Sequence, residues 1–202
     1  MIITRLAVGF LGTNCYILNM PYRNDAVLID PGDNYTKIKA MLDSKGLTAK
    51  ALLLTHAQFD HTNAVAQFAR DGAKVYLHHL DVHMSRNDFG ISGSMGVRFC
   101  PFDVDVVLND GDLINECGMT FKVMHTPGHT AGGVCYLSER IIFSGDTLFF
   151  MSVGRTDLPT GNGRDLFNSL KKLFALDGDY DVYPGHGDKT TLFFEKNNNP
   201  YV

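Results

Sequence analysis

Four apolar runs in this chain each lead into a side chain that can bind a metal. Residues 51–55 (Ala-Leu-Leu-Leu-Thr) run into His56, and Ala57, Gln58, Phe59, Asp60 and His61 follow. A run that starts at Phe121 passes Pro127 and Gly128 and reaches His129. A third, from Arg140, reaches Asp146, and a fourth, from Asp181, reaches His186. Histidine and aspartate suit a borderline cation such as Zn²⁺, and equally Fe²⁺ or Mn²⁺. Side chains at strand ends project into a common crevice and are held there by a rigid sheet. Gly128, Gly145 and Gly185 directly precede three of these residues, and a residue without Cβ lets backbones approach closely. A lone histidine is most often a surface or core residue, and Asp60-His61 alone would fit a helix cap. Four such run ends in one chain point to a single metal centre.

The elements that must position these residues are short. Residues 2–10, 15–20, 26–30, 51–56, 74–79, 105–108, 119–125, 133–137, 140–144 and 180–183 read as strands, bounded by Gly, Asn and Pro. Helices are expected over 35–45, 63–70, 80–86 and 164–176. In the last of these Leu166, Phe167, Leu170, Leu173 and Phe174 form a stripe at helical spacing. Residues 87–103 read as a loop. Strands and helices in both halves, with no linker or fixed-period repeat, suggest packed sheets covered by helices in one domain over 1–202.

Composition narrows the function classes. The chain has 202 residues and is 45% hydrophobic and 20% charged, which suits a protein with a sizeable buried core. With 18 Lys and Arg against 22 Asp and Glu the formal charge is −4. No basic cluster exceeds Lys171-Lys172, so no nucleic-acid partner is expected. No apolar run approaches the roughly 20 residues of a membrane span, and the N-terminus does not read as a secretion signal. Cys15, Cys100, Cys117 and Cys135 form no CxxC pair and read as unbridged thiols, which fits a cytoplasmic location.

The sequence resembles the metallo-β-lactamase fold superfamily. The carrying motifs are 55–61 (Thr-His-Ala-Gln-Phe-Asp-His), Thr126-Pro-Gly-His129, Ser144-Gly-Asp146-Thr147 and Pro184-Gly-His186, together with Asp30 in Leu28-Ile-Asp30-Pro-Gly32. The resemblance covers essentially the whole chain. Gly154-Arg155-Thr-Asp157 and the tail around Glu195 are similar to the small glyoxalase II-like (hydroxyacylglutathione hydrolase-like) branch. It implies an α/β fold, an αββα sandwich of two mixed sheets flanked by helices, with the metal centre on their shared edge. It also implies ligand roles. His56 and His129 bind a first metal, Asp60, His61 and His186 a second, and Asp146 bridges them, while Asp30 supports the site from behind. Asp60 and Asp146 carry the catalytic part, metal-bound hydroxide is the nucleophile, and no Ser or Cys nucleophile is needed. One or two Zn²⁺ ions are expected, with Fe²⁺ or Mn²⁺ as alternatives. The implied reaction is hydrolysis of a small thioester or ester.

Gln58 departs from the family pattern, which has histidine there. Its amide oxygen is a poorer ligand than imidazole. Three outcomes follow. The first site is weak and the centre degraded to a metal-binding module; or Gln58 coordinates through oxygen; or His56, His129 and Asp146 form the two-His, one-carboxylate triad of non-haem iron oxygenases. The third matches the related persulfide dioxygenases and makes dioxygenase the alternative activity.

Other residues carry less. Arg155 and Asp157 either line the substrate pocket or pair locally. His78, His79 and His83 read as solvent-exposed rather than as a further metal site, His125 as structural, and Phe149 and Phe150 as core in preference to pocket lining. Thr147 either caps Asp146 or holds a local turn. Only 16 residues follow His186, so the C-terminal helical domain of full glyoxalase II enzymes is not expected. Lys189 and Lys196 are the tail's only candidates to clamp glutathione carboxylates. The sequence sets no oligomeric state.

Overall fold

The computed structural model describes residues 1–201. The first sheet contains β1 (Ile2–Val8), β2 (Thr13–Asn19), β3 (Asp25–Ile29), β4 (Thr48–Leu53), β5 (Lys74–His78) and β6 (Val106–Leu108), in that order. Its β1–β2 and β2–β3 pairs are antiparallel, and β3–β4, β4–β5 and β5–β6 are parallel. The chain then forms β7 (Leu113–Glu116), β8 (Met119–His125), β9 (Val134–Ser138) and β10 (Ile141–Gly145). A small hairpin, β11 (Leu148–Phe149) and β12 (Ser152–Val153), precedes β13 (Asp181–Pro184) and β14 (Thr190–Thr191). The second sheet has the order β14-β13-β10-β9-β8-β7. In it only β10–β13 is parallel. Both sheets are mixed, as expected.

Alternation along the strands builds three apolar layers. Val27 and Ile29 of β3 and Ala51 and Leu53 of β4 face inward, where they meet Phe121, Val123, Tyr136 and Phe143 of the second sheet. Ala26, Leu28 and Leu52 face outward beneath α1 (Tyr35–Ser44) and α3 (Val65–Arg70), which contribute Ile38, Leu42 and Phe68. On the far side α5 (Gly163–Phe174) sets Leu166, Leu170 and Leu173 on Ile142 and Val182. Strands covered on both faces read as nearly continuous apolar runs, which is why 26–30 and 51–55 stand out. The result is the expected αββα sandwich.

The α5 stripe contains one exception. Phe167 is 47% exposed, with the Lys171 ammonium 4.3 Å above its ring. The helix is capped by Asn162, whose side chain accepts hydrogen bonds from the Arg164 and Asp165 amides. Further differences are short elements with weak periodicity. Residues 79–85 form a 3₁₀ helix. The 87–103 segment contains α4 (Ile91–Ser94), and α2 (Phe59–Thr62) precedes α3. The tail forms α6 (Leu192–Asn198), capped by Thr191. All four cysteines are free. No helix of the described residues is long and apolar enough to cross a membrane.

Candidate metal centre

The side chains singled out in the sequence meet at one edge of the sandwich. His56 follows β4, and Asp60 and His61 lie on α2. His129 follows β8, Asp146 follows β10 and His186 follows β13. They form two groups: His56, His129 and Asp146, and Asp60, His61 and His186, with the candidate ligand atoms of each within 4.8 Å of one another. Asp60 Oδ2 lies 3.4 Å from His61 Nε2 and 3.3 Å from His186 Nε2. Asp146 sits between the groups. Its Oδ2 is 3.6 Å from both His129 Nε2 and His186 Nε2, and its Oδ1 is 3.3 Å from His61 Nε2.

Backing hydrogen bonds fix this arrangement. Asp30 has positive φ (50°), a conformation that costs free energy and here serves to direct a side chain. Its Oδ1 accepts from the Thr55 amide, and its Oδ2 accepts from the Thr55 hydroxyl and lies 2.9 Å from His61 Nδ1. With Nδ1 bound to a carboxylate, His61 presents Nε2 to the centre, the role of a supporting carboxylate behind a metal-binding histidine. His129 Nδ1 lies 2.8 Å from the Arg155 carbonyl oxygen, with the same effect. The Thr13 hydroxyl donates to Asp60 Oδ2 at 3.0 Å. Gly185 packs so closely that a Cβ on it would lie 2.2 Å from Asp146 Oδ1 and 2.7 Å from His61 Cε1.

The donor set fits a cation. His56 Nε2, His129 Nε2 and Asp146 Oδ1 are buried and lack a hydrogen-bond partner. Buried polar atoms are normally paired, and a metal ion would satisfy all three. The electrostatics also fit. Burial disfavours ionisation of Asp60, but the charge of His61 and the hydrogen bond from His186 outweigh it and hold its pKa down at about 2. Burial likewise opposes charge on Asp146, yet His61 and the other rings push its pKa far below the usual range. Burial, reinforced by His61 and His129, lowers His56. His61 moves the other way, because Asp60, Asp146 and Asp30 overcome its burial.

One consequence is measurable. At neutral pH the raised pKa keeps a proton on His61, and a cation taking Nε2 must displace it. Metal uptake is therefore expected to release protons, and affinity to fall as pH falls. Calorimetric titrations of metal in buffers of different ionisation enthalpy give the proton count; an enthalpy independent of buffer would contradict it.

A cavity of about 380 Å³ opens onto the cluster and is lined by Asp60, His129, Asp146 and His186 and by Gln58 and Arg155. Gln58 is buried, with its amide nitrogen unpartnered, so it stands at the centre without a bond that would hold it elsewhere. Arg155 turns its guanidinium to Asp157, in two hydrogen bonds of 2.7 and 2.6 Å. The local pair and the cavity position thus coexist for Arg155, whereas Asp157 lies off the cavity wall. Lys189 pairs with Asp181 and Lys196 donates to the Phe174 carbonyl, so neither is free to clamp a substrate carboxylate.

Several expectations change. His78 is buried rather than exposed and stacks on His125 at 4.2 Å. Burial, then His125 and His79, take its pKa down to about 4. His79 and His83 are exposed. Phe149 lines the cavity instead of the core, 6.0 Å from the His186 ring, and Phe150 is exposed against Phe194. The Thr147 hydroxyl pairs with Thr126, not with Asp146. Sequence reasoning missed Asp81, which is fully buried. It accepts from Ala57 N, Thr130 Oγ1 and Gly132 N, and so ties the His56 loop to the His129 loop. Its residue type and position in a short 3₁₀ segment carried no signal of this.

Comparison with known proteins gives a consistent picture. Residues 8–186 match the Metallo-beta-lactamase superfamily. An uncharacterized protein of Mycobacterium leprae (strain TN) is 39% identical, over 100% of this chain and 99% of its own. A hydroxyacylglutathione hydrolase, GloC, of Haemophilus influenzae is 31% identical over 94% and 92%. Among solved structures, the B3 metallo-beta-lactamase BLEG-1 aligns with TM-score 0.90 and 35% identity, covering 99% of both chains. TTHA1623 in a di-iron-bound form aligns with TM-score 0.90 and 37% identity, over 98% of this chain and 100% of the other. ETHE1 from Myxococcus xanthus aligns with TM-score 0.79 and 31% identity, over 99% and 84%.

Proposed function

The chain belongs to the metallo-beta-lactamase superfamily, and from that premise we propose that it is a metal-dependent hydrolase of a small thioester or ester, a cytoplasmic glyoxalase II-like enzyme of one domain. The observation that carries this reading is the pair of three-residue donor groups around Asp146, opening onto one cavity. His56, His129 and Asp146 would hold one ion, and Asp60, His61 and His186, with Asp146 beside them, would hold another. A divalent cation held there would supply a lowered pKa for water and polarisation of a carbonyl. Zn²⁺ suits the His and Asp donors; the di-iron form of TTHA1623 keeps Fe²⁺ open for this chain too.

The chain's own residues do the rest. Asp30 and the Arg155 carbonyl orient His61 and His129, and the Thr13 hydroxyl holds the Asp60 carboxylate. Asp60, ionised and facing the cavity, orients the attacking water by accepting a hydrogen bond from it, and a carboxyl whose pKa is held at about 2 stays charged through the reaction and takes no proton. Asp146 holds negative charge between the two groups. The GloC relative supports thioester hydrolysis, and a Bacillus subtilis protein named "Probable metallo-hydrolase YqgX", 34% identical over 98% of this chain and 96% of its own, supports the class.

A second reading has its own observation. His56, His129 and Asp146 alone form a two-His, one-carboxylate triad, Gln58 stands in place of a further histidine, and ETHE1 is a structural neighbour. Under that reading the chain is a mononuclear iron persulfide dioxygenase. The two separate by oxygen. The hydrolase is expected to cleave S-lactoylglutathione or a generic thioester under anaerobic conditions. Oxygen uptake with glutathione persulfide, and no anaerobic thioester cleavage, would establish the dioxygenase; neither activity would leave a metal-binding module.

Gln58→His tests the departure directly. The two side chains are similar in length, and the variant restores an imidazole at the first group. It is expected to bind more metal and to hydrolyse thioesters about tenfold faster, a gain of ~1.4 kcal/mol in barrier. Metal stoichiometry and turnover of both proteins check this; no change in either would show that Gln58 does not limit the centre.

A further inference from the structure

Apart from the ligand cluster, Gln58 and Arg155, the side chains that wall the cavity are apolar, among them Leu11, Phe59, Ile91, Met95, Phe149 and Leu158. They come from separate parts of the chain: Leu11 from the β1–β2 turn, Phe59 from the start of α2, Ile91 from α4 with Met95 just after it, Phe149 from β11, and Leu158 from the loop before α5. Leu11 and Met95 stay 42% and 41% exposed at the rim, while Phe59 and Ile91 are buried. Among the described residues, Arg155 is the one Lys or Arg on this wall, and its Nε and Nη2 donate to Asp157. Lys189 and Lys196 are engaged elsewhere. Away from the ligand cluster, a substrate part bearing free carboxylates would meet no lysine and one arginine that already faces a carboxylate, and would lose its hydration. A saturated chain would lose only contact with water.

Resting on the hydrolase reading, we infer that the cavity takes an aliphatic acyl chain, so that the substrates are thioesters or esters of apolar carboxylic acids. In the reaction water adds to the acyl carbon and the carbon–sulfur or carbon–oxygen bond breaks. The acid leaves as a carboxylate and a proton, and the thiol or alcohol carries the other hydrogen away. The apolar wall holds the chain while the carbonyl lies at the ligand cluster. Burial of each methylene adds attraction until the chain outgrows a cavity of about 380 Å³.

The test is an acyl series on one neutral carrier, N-acetylcysteamine, with acetyl, butanoyl, hexanoyl and octanoyl groups, alongside S-lactoylglutathione. In the metal-loaded protein kcat/KM is expected to rise about threefold per methylene through hexanoyl, and hexanoyl is expected to exceed lactoylglutathione. Met95→Lys, a change at the exposed rim, is expected to flatten the series and to cut hexanoyl kcat/KM about tenfold. Calorimetry with hexanamide and acetamide reads the cavity without turnover, and hexanamide is expected to bind at least tenfold more tightly, less so in Met95→Lys. Acetyl thioester turnover with a flat series, or preference for lactoylglutathione, overturns this inference and leaves the hydrolase reading standing. Hexanamide binding weakened by Met95→Lys, with no thioester cleaved, supports the apolar cavity and overturns the hydrolase. Neither binding nor turnover overturns both.

Discussion

Asp146→Ala is expected to empty the first ligand group, to weaken the second and to lower thioester turnover by roughly 10³-fold, about 4 kcal/mol of barrier. Asp146 lies within 3.6 Å of donor nitrogens from both groups. Its removal leaves His56 and His129 as two donors, too few for a closed site, and leaves cationic charge in the cluster without its central counter-charge. Single histidine losses are milder by this logic. His56→Ala weakens the first group and spares Asp60, His61 and His186. Elemental analysis of the folded variants, with circular dichroism to show that they are folded, makes the comparison. Full metal content in Asp146→Ala, or greater loss in His56→Ala than in Asp146→Ala, would refute the shared position.

Gly185→Ala is expected to cost about 100-fold in turnover through geometry alone, since displacements of about 1 Å at a reacting centre have that effect. The added Cβ overlaps Asp146 Oδ1 and His61 Cε1, so either the carboxylate or the imidazole must move. Overpacking of this kind lowers stability by about 1–3 kcal/mol, and thermal melting should shift by several degrees while the protein still folds. Gly187→Ala is the control. That glycine has positive φ (75°), and beyond its two chain neighbours nothing lies within 4 Å of its added Cβ, so the change brings backbone strain without the clash at Asp146 and His61. It should melt lower and keep most of its turnover per bound metal. Equal losses per bound metal in the two variants would mean that close packing at Gly185 does not set the ligand geometry.

The parts legible in the sequence were those fixed by local pattern. The covered strands announce themselves as continuous apolar runs, and the residues that end them are the ones the structure gathers. His56, Asp60, His61, His129, Asp146 and His186 are all in the cluster, and Asp30 lies behind it. What stayed hidden depends on tertiary neighbours. His78 carries no mark of burial, because its cover is the His125 ring from another sheet. Asp81 matters through two loops that are 24 and 51 residues away from it in sequence. Phe149 reads as core because an aromatic that lines a cavity and one that fills an interior have the same local pattern. The apolar wall is invisible for the same reason, since Leu11, Ile91 and Leu158 become neighbours only in the fold. The α4 turn, four residues among glycines, is shorter than any periodicity can reveal.

The most direct measurement strips the protein of metal with a chelator and titrates Zn²⁺ back under anaerobic conditions, with turnover of an acetyl thioester, a hexanoyl thioester and S-lactoylglutathione read at each step. Turnover is expected to be absent at the start, to rise with bound metal and to level off between one and two equivalents. Cleavage in the stripped protein, or full metal binding that produces no cleavage, would contradict a hydrolase built on these two donor groups.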